Sequence, residues 1–374
     1  MTLVGMTSQV RHSGTWDYSG FFRVVDLDSG RTLLTESVPD SPWRRVDPNP
    51  RGGLRGAKGL SGIGERLIVT NTDTLFLLDS NWSKVGEISN PHTGSVHDVL
   101  AEEDAIWITC THADLLLKVD WDGNRLDSWS WRSDPALVSA LGLPRLRQFD
   151  PRVDYRDPLQ LQGGVYNIAQ LSSVTRCSEG LLLTLGRILT PRELRLRKLR
   201  AGIGRVTARF GIQKPAPEPP WRPRSLSAVV LLRDVDGALA DARAELLLKI
   251  EDTYAPNHNA LEFDGLILYG DSNGSRLVGV DRATGKEETS VDVPGDPPFV
   301  RGLTRLDETT VLVGSQKPLA FYAVELAAGK IVREYPLDGQ PAESAHAIAL
   351  LPPAFPDPGG LDDIFARGAA KEAV

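Results

Sequence analysis

Six histidines stand in this 374-residue chain, and three of them share one local setting, at the start of a β-rich run. His97 lies in SVHDV, His258 in PNHNA and His346 in SAHAI. An imidazole titrates near neutral pH, so it can serve as acid, base, nucleophile or metal ligand. One histidine at a strand start is most often a hydrogen-bonded structural residue. Three in matching positions, with Lys58 and Arg301 in two further ones, point to a shared site. Converging imidazoles suit Zn²⁺, Mn²⁺ or Fe²⁺ with coordination positions left open. No acid stands among them, however, so a cation would need Asp98 or Glu262 to reach in. The set is better suited to holding an anion or a developing oxyanion beside histidines acting as acid, base or nucleophile. Desolvation and the two cations push such imidazoles toward the neutral form that a base or nucleophile needs.

The matching positions follow from a degenerate repeat. A turn of apolar run, acid, then Gly or similar reads FFRVVDLDSG, LFLLDSNW, LLLKVDWDG, VVLLRDVDG, LVGVDRATG and, weakened, YAVELAAG. Asp bonds the turn backbone and Gly accepts positive φ, which suits hairpins. Before each turn lies a second β-rich run, such as AIWITCT or TVLVGSQ, and before that an alternating stretch. Three strands before the turn and one after make a four-stranded blade of about 40–45 residues. The chain is therefore expected to be all-β, a six-bladed β-propeller. Its first blade lacks an innermost strand, which AHAIALLP near the C-terminus is expected to supply, closing the ring and removing two sheet edges.

Aligning the blades on their second strands places His346, Lys58, His97, Ser172, His258 and Arg301 at the channel entrance of successive blades. Asn167 is an alternative to Ser172 in blade four, and Asp98 and Asn259 adjoin the ring. His12, His92 and His112 fall in loops of the same face. So do two insertions, 132–166 and 187–226, which could form a lid. The second opens with Thr190-Pro-Arg-Glu193, a helix-capping sequence, and Leu199, Ile203, Val206 and Phe210 follow at helical spacing. This predicts a basic amphipathic helix over 190–212, fit to cover the channel or to contact a protein or a membrane surface. The propeller is expected over 1–355 and a tail over 356–374. Tyr155, Tyr166, Tyr254 and Trp131 lie near the upper loops as candidate pocket walls.

Net charge is −7, but residues 187–224 carry +9 and the remainder −16, which argues against a general nucleic-acid surface. No apolar run reaches the roughly 20 residues of a membrane span. The N-terminal stretch lacks a signal-peptide core. The two cysteines, Cys110 and Cys177, read as buried free thiols. A cytoplasmic protein is expected. No Walker, dinucleotide-binding, Cys-x-x-Cys or HExxH motif occurs.

His97-Asp98, followed by IWITC and a VDWDG turn, resembles the blade pattern of bacterial arylsulfotransferases, and PNHNALEFDGLILYGD is similar to their second histidine motif. The resemblance covers blades two to six. It implies a six-bladed propeller that transfers a sulfate group between phenols through a sulfated histidine, assisted by further histidines and an arginine. His97, His258 and His346 match as histidines in comparable strand positions. Where that family has its arginine, this chain has Asp271-Ser272-Asn273, with Arg276 just beyond and Arg301 in another blade. Propeller lyases related to virginiamycin B lyase also place a histidine near each innermost strand, which leaves a metal-assisted lyase open. The primary expectation is an enzyme acting on a small anionic or phenolic molecule at the channel mouth, by group transfer or by a lyase or cyclase reaction. The rival is a non-catalytic propeller that binds a protein partner through its upper face.

Overall fold

The computed structural model describes residues 1–10, 19–47, 55–161, 167–196, 199, 225–253, 255–296, 299–340 and 343–366. They form six four-stranded antiparallel sheets. The innermost strands are Glu343–Leu350, Leu60–Ile63, Val96–Ala101, Leu171–Cys177, His258–Phe263 and Val300–Arg305, and each contacts the next around a closed ring. This is the expected β-propeller. The C-terminal Glu343–Leu350 pairs antiparallel with Leu3–Val10, completing blade one from the far end of the chain.

The outer hairpin turns fold by local chemistry. Asp120 Oδ1 accepts from the amides of Asp122 and Asn124, and Gly123 takes φ 84°, which a side chain disfavours. Asp26 and Asp281 hold the corresponding turns of blades one and five in the same way.

Between blades the core is aliphatic and aromatic. Trp107, Leu116, Leu183, Val230 and Leu232 belong to the cluster at blades three and four. Trp82 is buried against Phe22 and Phe355, and its indole N–H donates to the Pro356 carbonyl at 3.1 Å. The segment following Phe355 runs on across blades one and two, burying Ile364 and Phe365 in that cluster. Burying each such side chain stabilises the fold by roughly 1.5–3 kcal/mol.

The closing strand is fastened by a buried ion pair. Glu343 accepts from Arg23 at 2.5 Å and from the Ser8 hydroxyl, and both charged side chains are almost wholly buried. The insertion after blade three is tied down similarly. Arg132 donates to Asp114, whose carboxylate also accepts from the amides of Ile168 and Ala169. Tyr155 of that insertion rests on Gly94, where a Cβ would lie 1.9 Å from the Tyr155 carbonyl oxygen. In blade four, Thr190 and Glu193 form the expected reciprocal cap of a helix whose first turns cover 191–196. The remainder of the predicted 190–212 helix lies, apart from Leu199, outside the described residues.

Candidate functional site

A β-bulge at the upper end of each innermost strand brings the ring residues together. In blade three, Val96 pairs with Cys110 and Val99 with Ile108, so His97 and Asp98 together face Thr109. Ser172, Asn259 and His346 are likewise left over in the ladders of blades four, five and one. In blade six Arg301 and Gly302 face Gly314. In blade two Lys58 and Gly59 both bond Thr70. One extra residue breaks the two-residue alternation and re-aims a side chain, a device common beside active sites. The amides freed by the bulges are satisfied locally. Those of Gly59, Asp98 and Ala347 donate to the hydroxyls of Thr70, Thr109 and Thr7.

Three imidazoles from blades one, three and five meet at this end. The His97 ring centre lies 5.7 Å from that of His346 and 6.5 Å from that of His258. His258 also meets the edge of Phe299 at 5.6 Å. The tautomer of His97 follows from its neighbours. Nδ1 faces the Ser95 carbonyl at 3.1 Å, which only accepts, so Nδ1 carries the hydrogen. Thr111 donates to the Leu171 carbonyl and its oxygen receives the same Nδ1–H. Nε2 is then a bare acceptor facing the Gln170 amide nitrogen at 3.4 Å. His346 is only 2% exposed, and neither ring nitrogen has a hydrogen-bond partner among the described residues. Burial, then the fields of Arg301 and Lys58, holds both His97 and His346 well below the usual imidazole range. Both are neutral at pH 7.

The cations are buried with them. Lys58 is 4% exposed and donates to Gln9 Oε1 at 2.9 Å, and Arg301 is 6% exposed. The carboxylates that would favour a metal do not reach the ring. Asp98 turns toward the next blade, accepting from the amides of Val99 and Val174. Burial lifts its pKa to about 7 despite those bonds. Glu262 pairs instead with Arg282 and the Ser178 amide. Among the described residues no three His, Cys, Asp or Glu side chains are grouped to hold a metal ion. The charges of Arg301 and Lys58 beside these imidazoles oppose binding of a divalent cation there.

Other candidates take structural positions. The Ser172 hydroxyl donates to the carbonyls of Thr184 and Asn257. Asn259, at φ 52°, accepts from the Gly302 amide and links blade five to blade six. Asn167 donates its amide to the His112 carbonyl, outside the ring. His112 bonds the Tyr155 carbonyl through Nδ1, and His92 packs on Phe149 and Tyr155, so both seat the first insertion. Trp131 and Tyr155 are buried in the core. His12, Tyr166 and Tyr254 lie outside the described residues. Both thiols are free; Cys110 is buried and Cys177 half-buried.

Thr111, Gln9 and Gln170 were not singled out from the sequence. The signal for the first two is the same blade alignment carried two residues beyond the second-strand Thr or Gly. It selects Gln9, Thr72, Thr111, Gly186, Ser272 and Gln316, and of these Gln9 and Thr111 touch ring residues. Gln170 belongs to no repeat position.

The fold is a six-bladed β-propeller, and its innermost strands bring three histidine rings together near the buried Lys58 and Arg301. A protein of unknown function from Bacteroides caccae, known from its crystal structure, superposes with TM-score 0.50 at 10% identity, over 92% of this chain and 98% of that one. A chain of the nidogen/laminin complex gives TM-score 0.50 at 10% identity, over 93% of this chain and 98% of that one. At such identity the likeness is one of fold alone. No protein-family model matches the chain, and no curated protein matches it. No helix among the described residues is long and apolar enough to cross a membrane.

Proposed function

We propose that the protein is an enzyme that holds a small anionic or phenolic molecule at the channel mouth and acts on it with neutral imidazoles. The observation that carries this reading is His346, a buried ring whose two nitrogens have no hydrogen-bond partner among the described residues, beside His97 and in the fields of Arg301 and Lys58. Lys58 and Arg301 supply the charge that attracts an anion and stabilises an oxyanion in a low-dielectric site. His97 presents a bare Nε2 whose orientation is fixed by Ser95 and Thr111 on the opposite nitrogen, the arrangement a general base or nucleophile requires. His258 completes the ring of imidazoles.

The chemistry implied by the arylsulfotransferase resemblance is one form of this reading. Arg276 is not placed to serve it, being paired with Asp271 and Glu287. Arg301 stands where its charge acts on His97 and His346, and takes the role of the assisting arginine here.

The test uses 4-nitrophenyl sulfate, phosphate and acetate, with and without a phenol acceptor, followed by release of the coloured phenolate. Turnover that is lost in each of His97→Ala, His258→Ala and His346→Ala, with thermal unfolding unchanged, supports the enzyme reading. Absence of turnover from every ester, or variants as active as the parent, favours the rival partner-binding propeller.

A further inference from the structure

Of the three ring histidines, His258 and His346 are buried, whereas His97 and the neighbouring Gln170 are half-buried. His97 is therefore the ring that solvent reaches. Its two nitrogens are held unequally. Nδ1–H gives to the Ser95 carbonyl at 3.1 Å and to the Thr111 oxygen at 2.9 Å. Nε2, which carries no hydrogen, accepts from the Gln170 amide at 3.4 Å. That is longer than the usual range of about 2.7–3.2 Å. The ring is thus oriented from its Nδ1 side, and the long Gln170 bond adds little to that. What it does is cover an acceptor, and a shielded acceptor left unbonded costs stability.

Gln170 is fastened by its backbone. Its carbonyl accepts from the Gly186 amide at 3.0 Å. The residues before it, Ile168 and Ala169, donate their amides to Asp114, which is itself paired with buried Arg132. The Gln170 side chain, by contrast, bonds His97 alone among the described residues. Rotation about its χ angles therefore moves the amide off Nε2 while the chain stays in place, a fast motion for a half-buried side chain.

We propose that Gln170 is a placeholder, its amide covering the His97 acceptor until the hydroxyl of a ligand takes the same place. A ligand is not tied to the backbone of blade four, so its O–H can approach Nε2 at ordinary hydrogen-bond length. The ligand class is a molecule with a hydroxyl hydrogen to give, of which a phenol is the simplest aromatic case. A site that bonds a hydroxyl discriminates against the analogue that lacks it, because its own polar atom is left unpaired. The inference rests on His97 being the working imidazole of the mouth, and it adds what competes for its nitrogen.

The test follows the His97 ring nitrogens of the full chain by NMR at pH 7, during titration with phenol and with anisole, its methyl ether, which has no hydrogen to give. In the parent protein phenol is expected to shift the Nε2 signal, to leave Nδ1 unmoved and to bind more tightly than anisole. Gln170→Met keeps the length of the side chain and removes its donor. The Nε2 signal should then move before any ligand is added, and phenol should bind about 2–10-fold more tightly than to the parent, the range of one net hydrogen bond. Anisole should bind both proteins alike. Arg301, Lys58, His112, His258 and His346, the charged and titratable groups around His97, are common to both. An Nε2 signal or a phenol-to-anisole ratio unchanged by Gln170→Met overturns the inference, as does a phenol titration that leaves Nε2 of the parent unmoved. If that variant does not fold, Gln170→Asn, one methylene shorter, replaces it with the same expected and refuting results. Turnover of the nitrophenyl esters is read separately. Turnover with Nε2 indifferent to Gln170 removes the placeholder and leaves the enzyme standing; displacement by phenol without turnover keeps the placeholder and removes the enzyme.

Discussion

Asp98→Asn isolates what it costs to keep one carboxylate between two blades. Asp98 is 9% exposed, accepts two backbone amides, and has its pKa lifted from an ordinary 3.8 to about 7, mainly by burial. The folded protein therefore holds a proton that the unfolded chain releases above 3.8, so Asp98 costs stability progressively as pH rises from 3.8 to about 7. Over that interval, at about 1.4 kcal/mol per unit of pH, the cost reaches roughly 4 kcal/mol. Asn resembles the protonated acid in shape but keeps one of the two acceptor oxygens, so its NH2 faces one of the backbone amides and costs about 1–3 kcal/mol at every pH. The variant should then trail the parent by about that much near pH 4 and gain roughly 4 kcal/mol relative to it by pH 8. His97 and His346 act in the opposite direction. Their folded pKa values lie below 6.5, so their contribution is complete above that value and is lost as pH falls through it. Both proteins share those histidines, and the difference between them reports Asp98. Urea unfolding followed by tryptophan fluorescence from pH 4 to 8.5 supplies the curves. Parallel curves would refute the reasoning and place an ionised Asp98 in the folded protein at neutral pH.

Two other substitutions test the frame of the site. Glu343→Ala strands the Arg23 charge in the core and should cost about 3–5 kcal/mol in the same assay, whereas Arg23→Met with Glu343→Leu should recover most of it. A single-variant loss below about 1 kcal/mol would contradict the buried pair. Thr111→Val removes one acceptor from His97 Nδ1 but leaves Ser95, so turnover should fall about 5–10-fold with KM nearly unchanged. A change in KM alone would assign Thr111 to substrate binding instead of orientation of His97.

The fold was legible because propeller blades are local. Each Asp-Gly turn and each apolar second strand is written within a short stretch, and the likeness of TLVGMTSQ to TVLVGSQ exposed the missing strand of blade one. The bulges were not legible as such. Aligning on the second strand found the ring residues because Thr7, Thr70 and Thr109 occupy one register opposite the bulge. What lay beyond was the direction of the neighbouring side chains. Asp98 and Asn259 adjoin ring histidines in sequence, yet one bonds Val174 and the other Gly302 across a blade boundary. The extra residue in each ladder sends them there, and alternation counted along the strand does not report it. Gln170, reaching His97 from outside any repeat, depends on how the first insertion returns to blade four.

Closure by the last strand also orders events in time. His346 lies in the strand made after all the other blade strands, so during synthesis blades two to six can complete their sheets while blade one waits with three strands. Until Glu343 reaches Arg23 the three imidazoles cannot meet, and Met6 and Phe22 lack their final covering. A ribosome that stalls before residue 343 would release a chain with most of its blades formed and an open edge at Leu3–Val10. Such a product lacks His346 and exposes an unpaired sheet edge, a template for pairing with another strand.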